Sequence, residues 1–275
     1  MRILVTNDDG IDSLGLHYLA RAMTPLGEVV VAAPDGDQSG AGAAISAIYR
    51  NKPQVKKAHI DGVPESWAVA GPPGLCAFMG RLGAFGEPFD LVVSGINPGA
   101  NVGRSVYHSG TIGACLTARN GGLSGVAVSQ AVSGWGVEGQ AWDDIVLNQI
   151  WETPATVAQH FVKGLLDDGL PEEPIIANIN VPNLELADLK GWKRTTIDYR
   201  TIRSMSTASL KPIGGTGGTY EVEFTYGDAI ALPDHTDGGA VEAGYVSVSY
   251  LSRITDVDRD DAPCAEGALN SLLDR

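Results

Sequence analysis

The sequence predicts an α/β fold, in which a mostly parallel β-sheet is covered by helices on both faces and followed by a C-terminal β-hairpin. Two observations carry this reading. Through residues 1–183, short β-rich apolar runs alternate with segments whose apolar residues recur at helical spacing. Beyond residue 183 the pattern changes to strand-like alternation around the Gly-rich segment Gly214–Gly218, the signature of a hairpin. The chain is therefore expected to divide into a core over 1–183 and a hairpin-bearing segment over 184–275.

Taken in order, Arg2–Thr6 (RILVT) is an apolar run stopped by Asn-Asp-Asp-Gly, a strand ending in a turn. Ser13 is placed to cap a helix whose buried side is Leu14, Leu16, Leu19, Ala20 and Met23, ending near Pro25–Gly27. Glu28–Ala33 is the next strand, stopped by Pro34, and a Gly-rich loop, Asp35–Ala44, follows it. Pro73–Leu82 reads as a helix with Pro in its first turn. Asp90–Ser94 is a buried strand, and Gly95–Ser109 is a second long loop, rich in Gly and Asn. Gly110–Asn120 is a helix ended by Gly121–Gly122. Gly125–Ser129 is a strand, and Asp143–Leu166 a helical span in which Pro154 predicts a kink or a break into two helices. Pro174–Val181 closes the sheet.

In the second part, Trp192–Arg203 and Thr219–Thr225 are expected as hairpin strands, Asp237–Ala243 as a short helix and Gly244–Tyr250 as a last strand. A two-stranded hairpin has little core of its own, so this one is expected to project and to contact another subunit. From Ser252 onward the chain is polar and is expected at the surface.

Composition narrows the possible functions. Of 275 residues, 44% are hydrophobic and only 19% charged, which suits a folded domain with a sizeable core. A strand beginning at the second residue leaves no room for a signal peptide, and no apolar run is long enough to span a membrane, so a cytoplasmic location is expected. Cys76, Cys115 and Cys264 are few, odd in number and without a CxxC pair, as expected for reduced and mostly buried thiols. The formal net charge of −14 and pI of 4.6 disfavour nucleic acid and anionic membranes as partners, because both bind through clustered Lys and Arg. The same charge repels any anionic substrate at long range. Such a substrate must be held by something local: a cation, a helix N-terminus or a few placed side chains.

Three loops leave the carboxyl ends of predicted strands, where open parallel sheets bind ligands. They carry Asn7, Asp8 and Asp9; then Asp35, Asp37, Gln38 and Ser39; then Asn97 and Asn101. Carboxylate, hydroxyl and amide oxygens are what Mg²⁺ or Mn²⁺ selects, and no His/Cys cluster with zinc spacing competes. Each signal has a plainer reading beside it. Asp-Asp-Gly after a strand is ordinary turn chemistry, Gln38–Gly42 could be a flexible loop, and Asn-Pro-Gly is a common turn. Two adjacent carboxylates at the end of a buried strand nevertheless repel, unless a proton or a cation lies between them. A further element is Tyr107–Thr111, which opens the Gly110–Asn120 helix and could offer backbone N–H groups to an anion. Here too a plainer reading stands beside it: Ser109 or Thr111 is an N-cap and no more, and His108 is either a phosphate donor and general acid or simply structural.

These residues resemble the SurE (survival protein E) family of 5′/3′-nucleotidases. The stretches that carry the resemblance are ILVTNDDGI at Ile3–Ile11, VVVAAPDGDQSG at Val29–Gly40, DLVVSGINPGANVG at Asp90–Gly103, SGTIGA at Ser109–Ala114, GVAVS at Gly125–Ser129, INVP at Ile179–Pro182 and GYVSVS at Gly244–Ser249. They span nearly the whole chain. The resemblance implies a Rossmann-like, three-layer catalytic core over 1–183 and a swapped C-terminal oligomerisation segment over 184–275, forming homodimers or homotetramers. It implies hydrolysis of nucleoside 5′- and 3′-monophosphates, with short polyphosphate as a further possible substrate, and a requirement for one divalent ion, Mg²⁺ or Mn²⁺. It places the metal on Asp8, Asp9, Ser39 and Asn97, with Asp9 catalytic, and the substrate against Asn101, His108, Ser109, Gly110 and Thr111. Two departures stand out. The loop before Ser39 lacks the Arg common in the family, and Gly71–Cys76 replaces the commoner GTPADC.

The mechanism this implies is direct hydrolysis, with Asp8 or Asp9 orienting or deprotonating the attacking water. An aspartyl-nucleophile phosphatase is a rival, although that chemistry usually presents Asp-x-Asp. A phospho-receiver or a non-catalytic nucleotide- or phosphate-binding regulatory module is the alternative outside enzymes, but neither GxGxxG nor a Walker lysine motif is present.

Overall fold

The computed structural model describes residues 1–46, 48, 52–132, 146–200, 205–214, 218–257 and 263–273. Its strands are β1 (Arg2–Thr6), β2 (Glu28–Pro34), β3 (Val55–Ala58), β4 (Glu65–Val69), β5 (Leu91–Pro98), β6 (Ser124–Gln130), β7 (Ile176–Val181), β8 (Trp192–Arg194), β9 (Met205–Pro212), β10 (Tyr220–Tyr226) and β11 (Val246–Tyr250). The helices are α1 (Leu14–Met23), α2 (Pro73–Arg81), α3 (Gly110–Asn120), α4 (Glu152–Asp167), α5 (Asp237–Glu242) and α6 (Pro263–Leu273). Among the described residues, nine strands form one sheet in the order β3-β4-β2-β1-β5-β6-β7-β11-β8, and β9 and β10 pair separately. From β4 across to β7 every neighbouring pair is parallel. The two ends run the other way, β3 antiparallel to β4 and β11 antiparallel to β7. The fold is thus the α/β class with a mostly parallel sheet that the sequence predicts.

The strands alternate between two apolar layers. Ile3, Val5, Val29, Val31, Leu91 and Val93 pack with Leu16, Leu19 and Met23 of α1 and with Ala158 and Val162 of α4. Leu4, Val30, Ala32 and Val92 point the other way, onto Leu75 and Cys76 of α2 and onto Phe85 and Phe89. Because successive side chains leave a strand on opposite faces, a run such as ILV can feed both layers. Cys76 and Cys115 are fully buried as expected, and burial pushes the Cys76 thiol up to about 12. Cys264 is exposed.

Several boundaries differ from the sequence expectation, each for a physical reason. Strand β5 continues beyond Ser94 to Pro98, so Asn97 sits on the strand end, past a register shift between Ser94 and Asn97. Gly95 permits this: its φ is +137°, and a Cβ there would lie 2.2 Å from the Val128 carbonyl oxygen. Ser13 occupies the N-cap position of α1 without a side-chain cap hydrogen bond. Leu14 is 60% exposed, because the buried stripe of α1 is Leu16, Leu19, Ala20 and Met23, and a residue two positions before Leu16 lies round the other side.

Of the helix expected over Asp143–Leu166, residues 143–145 lie outside the described residues. Residue 146 is helical, 147–151 are not, and the helix proper starts at Glu152, so Pro154 stands in its first turn, where no backbone N–H is needed. Strands β3 and β4 went unassigned, since VKKA is polar and ESWAV short. The segment expected as the first hairpin strand divides. Trp192–Arg194 becomes β8, parallel to β11 in the main sheet, while Met205–Pro212 pairs with β10; residues 201–203 and 215–217 lie outside the described residues. The chain after residue 183 thus contributes both a separate hairpin and two strands of the main sheet.

The reassignment of Leu14 has a measurable consequence. Leu16→Ala is expected to cost about 2–5 kcal/mol of unfolding free energy, whereas Leu14→Gln should change it by less than about 0.5 kcal/mol. Urea denaturation of the two variants reads both numbers, and equal losses would contradict the stripe described here.

Candidate active site

The carboxyl ends of β1, β2, β5 and β6 open onto one cleft of about 380 Å³. Its lining includes Asp8, Ser39, Asn97, Asn101, His108 and Ser109 from the predicted site. The opposite wall comes from Ala131 and Val132 after β6 and from Gly238, Val241 and Glu242 of α5. Among the described residues, no Lys or Arg lines the cleft.

Asp8 is the centre of the arrangement. It is 3% exposed, and α3 begins directly against it. The Gly110 N–H donates to Asp8 Oδ2 at 3.1 Å, and the Thr111 hydroxyl donates to Oδ1 at 2.6 Å. The remaining N-terminal groups of α3 are satisfied locally, since the Ile112 N–H donates to Ser109 Oγ and the Gly113 N–H to the Ser109 carbonyl. Gly110 must be glycine for this approach, because a Cβ would lie 2.7 Å from that of Asp8. Of Ser109, Gly110 and Thr111, expected to present a helix end to phosphate, Gly110 gives its N–H and Thr111 its hydroxyl to Asp8. The anion at this helix N-terminus is the Asp8 carboxylate itself. Ser109 still borders the cleft, as the N-cap of α3.

Burial pushes the Asp8 carboxyl above its usual range, although the Thr111 hydroxyl and the backbone N–H groups of Thr111 and Gly110 favour its ionised form. Asp9 is half-buried, its own backbone N–H favours its ionised form, and its Oδ2 is shut from solvent without a hydrogen-bond partner. Burial first, then the charges of Asp8 and Asp37, push the Asp9 carboxyl up to about 8. A buried, unpartnered carboxylate oxygen beside a second carboxylate is the environment a cation relieves.

The other predicted ligands are consistent with that. Asp37 Oδ1 accepts both the Ser39 N–H at 2.9 Å and the Ser39 hydroxyl at 2.6 Å, which leaves the Oγ lone pairs available. The Asn97 amide nitrogen donates to the Gly99 carbonyl at 2.6 Å, so its Oδ1 remains as an acceptor. Among the described residues, no three His, Cys, Asp or Glu side chains gather as a metal-binding group. A cation here would rest on two carboxylates and on the neutral oxygens of Ser39 and Asn97, a donor set suited to a hard ion.

Asn101 is buried among polar strand residues that sequence reading did not single out as functional. Its N–H donates to Asn180 Oδ1 at 2.7 Å, its carbonyl accepts from Asn178 and Asn180, and its amide donates to Ser129 Oγ at 2.9 Å. Asn178 and Asn180, fully buried in the otherwise apolar IANINV strand, were the legible signal. His108 is exposed and is the one histidine lining the cleft. The Asp237 carboxylate, also unforeseen, is fully buried and accepts the Gly103 N–H at 2.7 Å.

The family model described as survival protein SurE matches residues 3–204. The chain is 35% identical to a 5′-nucleotidase SurE of Acinetobacter baylyi over 259 residues, covering 91% of this chain and 93% of that protein. A 5′-nucleotidase SurE of Haemophilus influenzae is 34% identical, with 91% of both chains covered. The crystal structure of the SurE protein from Aquifex aeolicus superposes with a TM-score of 0.72 at 29% identity, over 99% of each chain.

The raised Asp9 carboxyl sets a pH dependence. Its folded value of about 8 exceeds the ordinary 3.8, so the folded chain binds more protons than the unfolded chain between those limits. The stability this protonation contributes is complete at low pH and is lost as pH rises through about 8. In EDTA, the urea midpoint should therefore fall between pH 6 and pH 8.5, and Asp9→Asn should flatten the trend; an equally steep fall in the variant would refute this account.

Proposed function

The chain belongs to the SurE family, and on that footing we propose that it is a 5′-nucleotidase, releasing phosphate from nucleoside monophosphates at the Asp8–Asp9 cleft. The observation that supports this most strongly is electrostatic. The cleft gathers Asp8, with Asp9 and Asp37 nearby, and no Lys or Arg lines it among the described residues, while the helix end beside it is occupied by Asp8. A phosphate dianion could bind there only with a cation to offset this charge. The finer reading is that one Mg²⁺ or Mn²⁺ is held by Asp8, Asp9, Ser39 and Asn97. When bound, it would offset charge on the phosphoryl group and lower the pKa of a water.

The chain's own residues would then divide the work. Asp8, locked by Gly110 and Thr111, is a rigid ligand with little freedom to act as a nucleophile. Asp9, the carboxylate that α3 does not fix, would be the one to orient the attacking water and take its proton. His108, exposed at the cleft, is placed to donate to the ester oxygen that leaves. Asn101, fixed by Asn178, Asn180 and Ser129, holds the floor of the site in register.

The assembly we propose is a homodimer or homotetramer in the cytoplasm. Every described residue of β9 and β10 is exposed, including Leu210, Val222 and Phe224, and so small a hairpin is marginal without packing. Among the described residues no helix is long and apolar enough to cross a membrane.

Phosphate release from AMP is expected to depend on added Mn²⁺ or Mg²⁺, and Asp9→Asn or Asn97→Ala should reduce kcat at least about a hundredfold while the protein stays folded by circular dichroism. Wild-type turnover in either variant would sink the assignment, and binding of AMP without turnover in the parent protein would instead favour a regulatory module. Phe224→Ser should lower the mass measured by light scattering if the hairpin joins subunits; an unchanged mass would remove it from the interface.

A further inference from the structure

The cleft has two kinds of lining. Asp8, Ser39, Asn97 and His108 are the phosphate chemistry described above, whereas Val102, Ala131, Val132 and Val241 are apolar, with the Glu242 carboxylate beside them. A nucleoside has the matching character: a flat base to lie on an apolar wall and sugar hydroxyls to donate to an acceptor. Val241 and Glu242 belong to α5, which comes from the C-terminal part of the chain and lies more than a hundred residues beyond Val102.

What joins α5 to the loop after β5 is a single buried carboxylate. Asp237 is 0% exposed, and its two oxygens accept three backbone N–H groups from three segments. Oδ2 accepts from Gly103 at 2.7 Å; Oδ1 accepts from Asp198 at 3.2 Å and from Gly238 at 2.9 Å. Gly103 has a φ of +56°, a turn that glycine adopts readily, and its N–H is the one given to Asp237. The helix is pinned from behind as well. The Asp237 N–H donates to the Thr196 carbonyl at 2.9 Å, and a Cβ on Gly239 would lie 2.1 Å from the Pro233 carbonyl oxygen.

We propose that Asp237 is a positioning residue for the nucleoside: by clamping Gly103 to the start of α5, it fixes the Val102–Val241 wall at the width of a base. The inference rests on the nucleotidase reading. It makes a distinct claim, however, because Asp237 touches neither phosphate nor the residues proposed as metal ligands. An Asp237→Asn side chain keeps the size but has one acceptor oxygen where the carboxylate has two. One side of the clamp must then open, so Gly103 or the Asp198–Gly238 pair loses its acceptor.

The test is steady-state kinetics on AMP with Mn²⁺, together with amide hydrogen exchange at Gly103, Asp198 and Gly238. The clamp requires KM for AMP to rise about tenfold in Asp237→Asn with kcat within about twofold, and either the Gly103 amide or the Asp198 and Gly238 amides to exchange faster than in the parent protein. A role confined to stability would lower the melting temperature and the active fraction, hence apparent kcat, and leave KM alone; that result overturns the proposal. So do unchanged exchange rates at all three amides. If Asp237→Asn does not fold, Val241→Ala decides the matter: a raised KM supports the wall, and an unchanged KM overturns it. Failure of the parent protein to release phosphate from AMP would overturn the nucleotidase reading, and the nucleoside wall with it, whereas an active parent with an unmoved KM in the variants removes the wall alone.

Discussion

The site depends on one interaction, the seating of the Asp8 carboxylate on the N-terminus of α3. A strand end and a helix start, separated by a hundred residues of sequence, meet at two hydrogen bonds to Asp8, from Gly110 and from Thr111. Glycine at 110 is what lets the helix come this near. The exchange is mutual. The carboxylate supplies the anion that a helix N-terminus favours, and the helix supplies donors without which a buried carboxylate would be costly. The position of Asp8 is thereby set by the sheet and by α3 together, not by a flexible turn.

That arrangement determines what remains for the ligand. With the donors of α3 directed at Asp8, and with Asp9 and Asp37 close by, the cleft contains an excess of negative charge and, among the described residues, no basic side chain in its lining. The whole chain has the same imbalance, with a net charge of −14. Asp9 shows the local cost most directly, through an oxygen with no partner and a carboxyl pushed up to about 8. On the proposed reading, the anionic substrate would bind through a metal, which would place affinity under the control of metal concentration and pH.

The second half of the chain is not an appendage to this site. It returns to the sheet as β11 and β8, and α5 closes the far wall of the cleft. Asp237 is the point at which the returning segment is fastened to the loop after β5. The hairpin of β9 and β10 is the part that stays outside the main sheet, and its exposed apolar residues suit contact with a further subunit.

The sequence by itself determined the class of fold and the chemistry of the donors. Apolar runs such as RILVT and DLVVS, broken by Asn-Asp-Asp-Gly and Gly-Ile-Asn, show where buried strands end, and oxygen side chains at those ends point to a hard cation. These features are local in sequence, set by the period of side chains along a strand and by the stereochemistry of turns, so they can be read from a string. Only the tertiary structure decided which donors are free and which are spent. Whether Gly110 and Thr111 face a phosphate or Asp8, whether Asn101 is a ligand or a strut between Asn178 and Ser129, and that Asp237 reaches Gly103, depend on contacts across dozens of residues. A hydrogen-bond donor has the same identity in the sequence whichever acceptor it meets, and packing alone chooses between them.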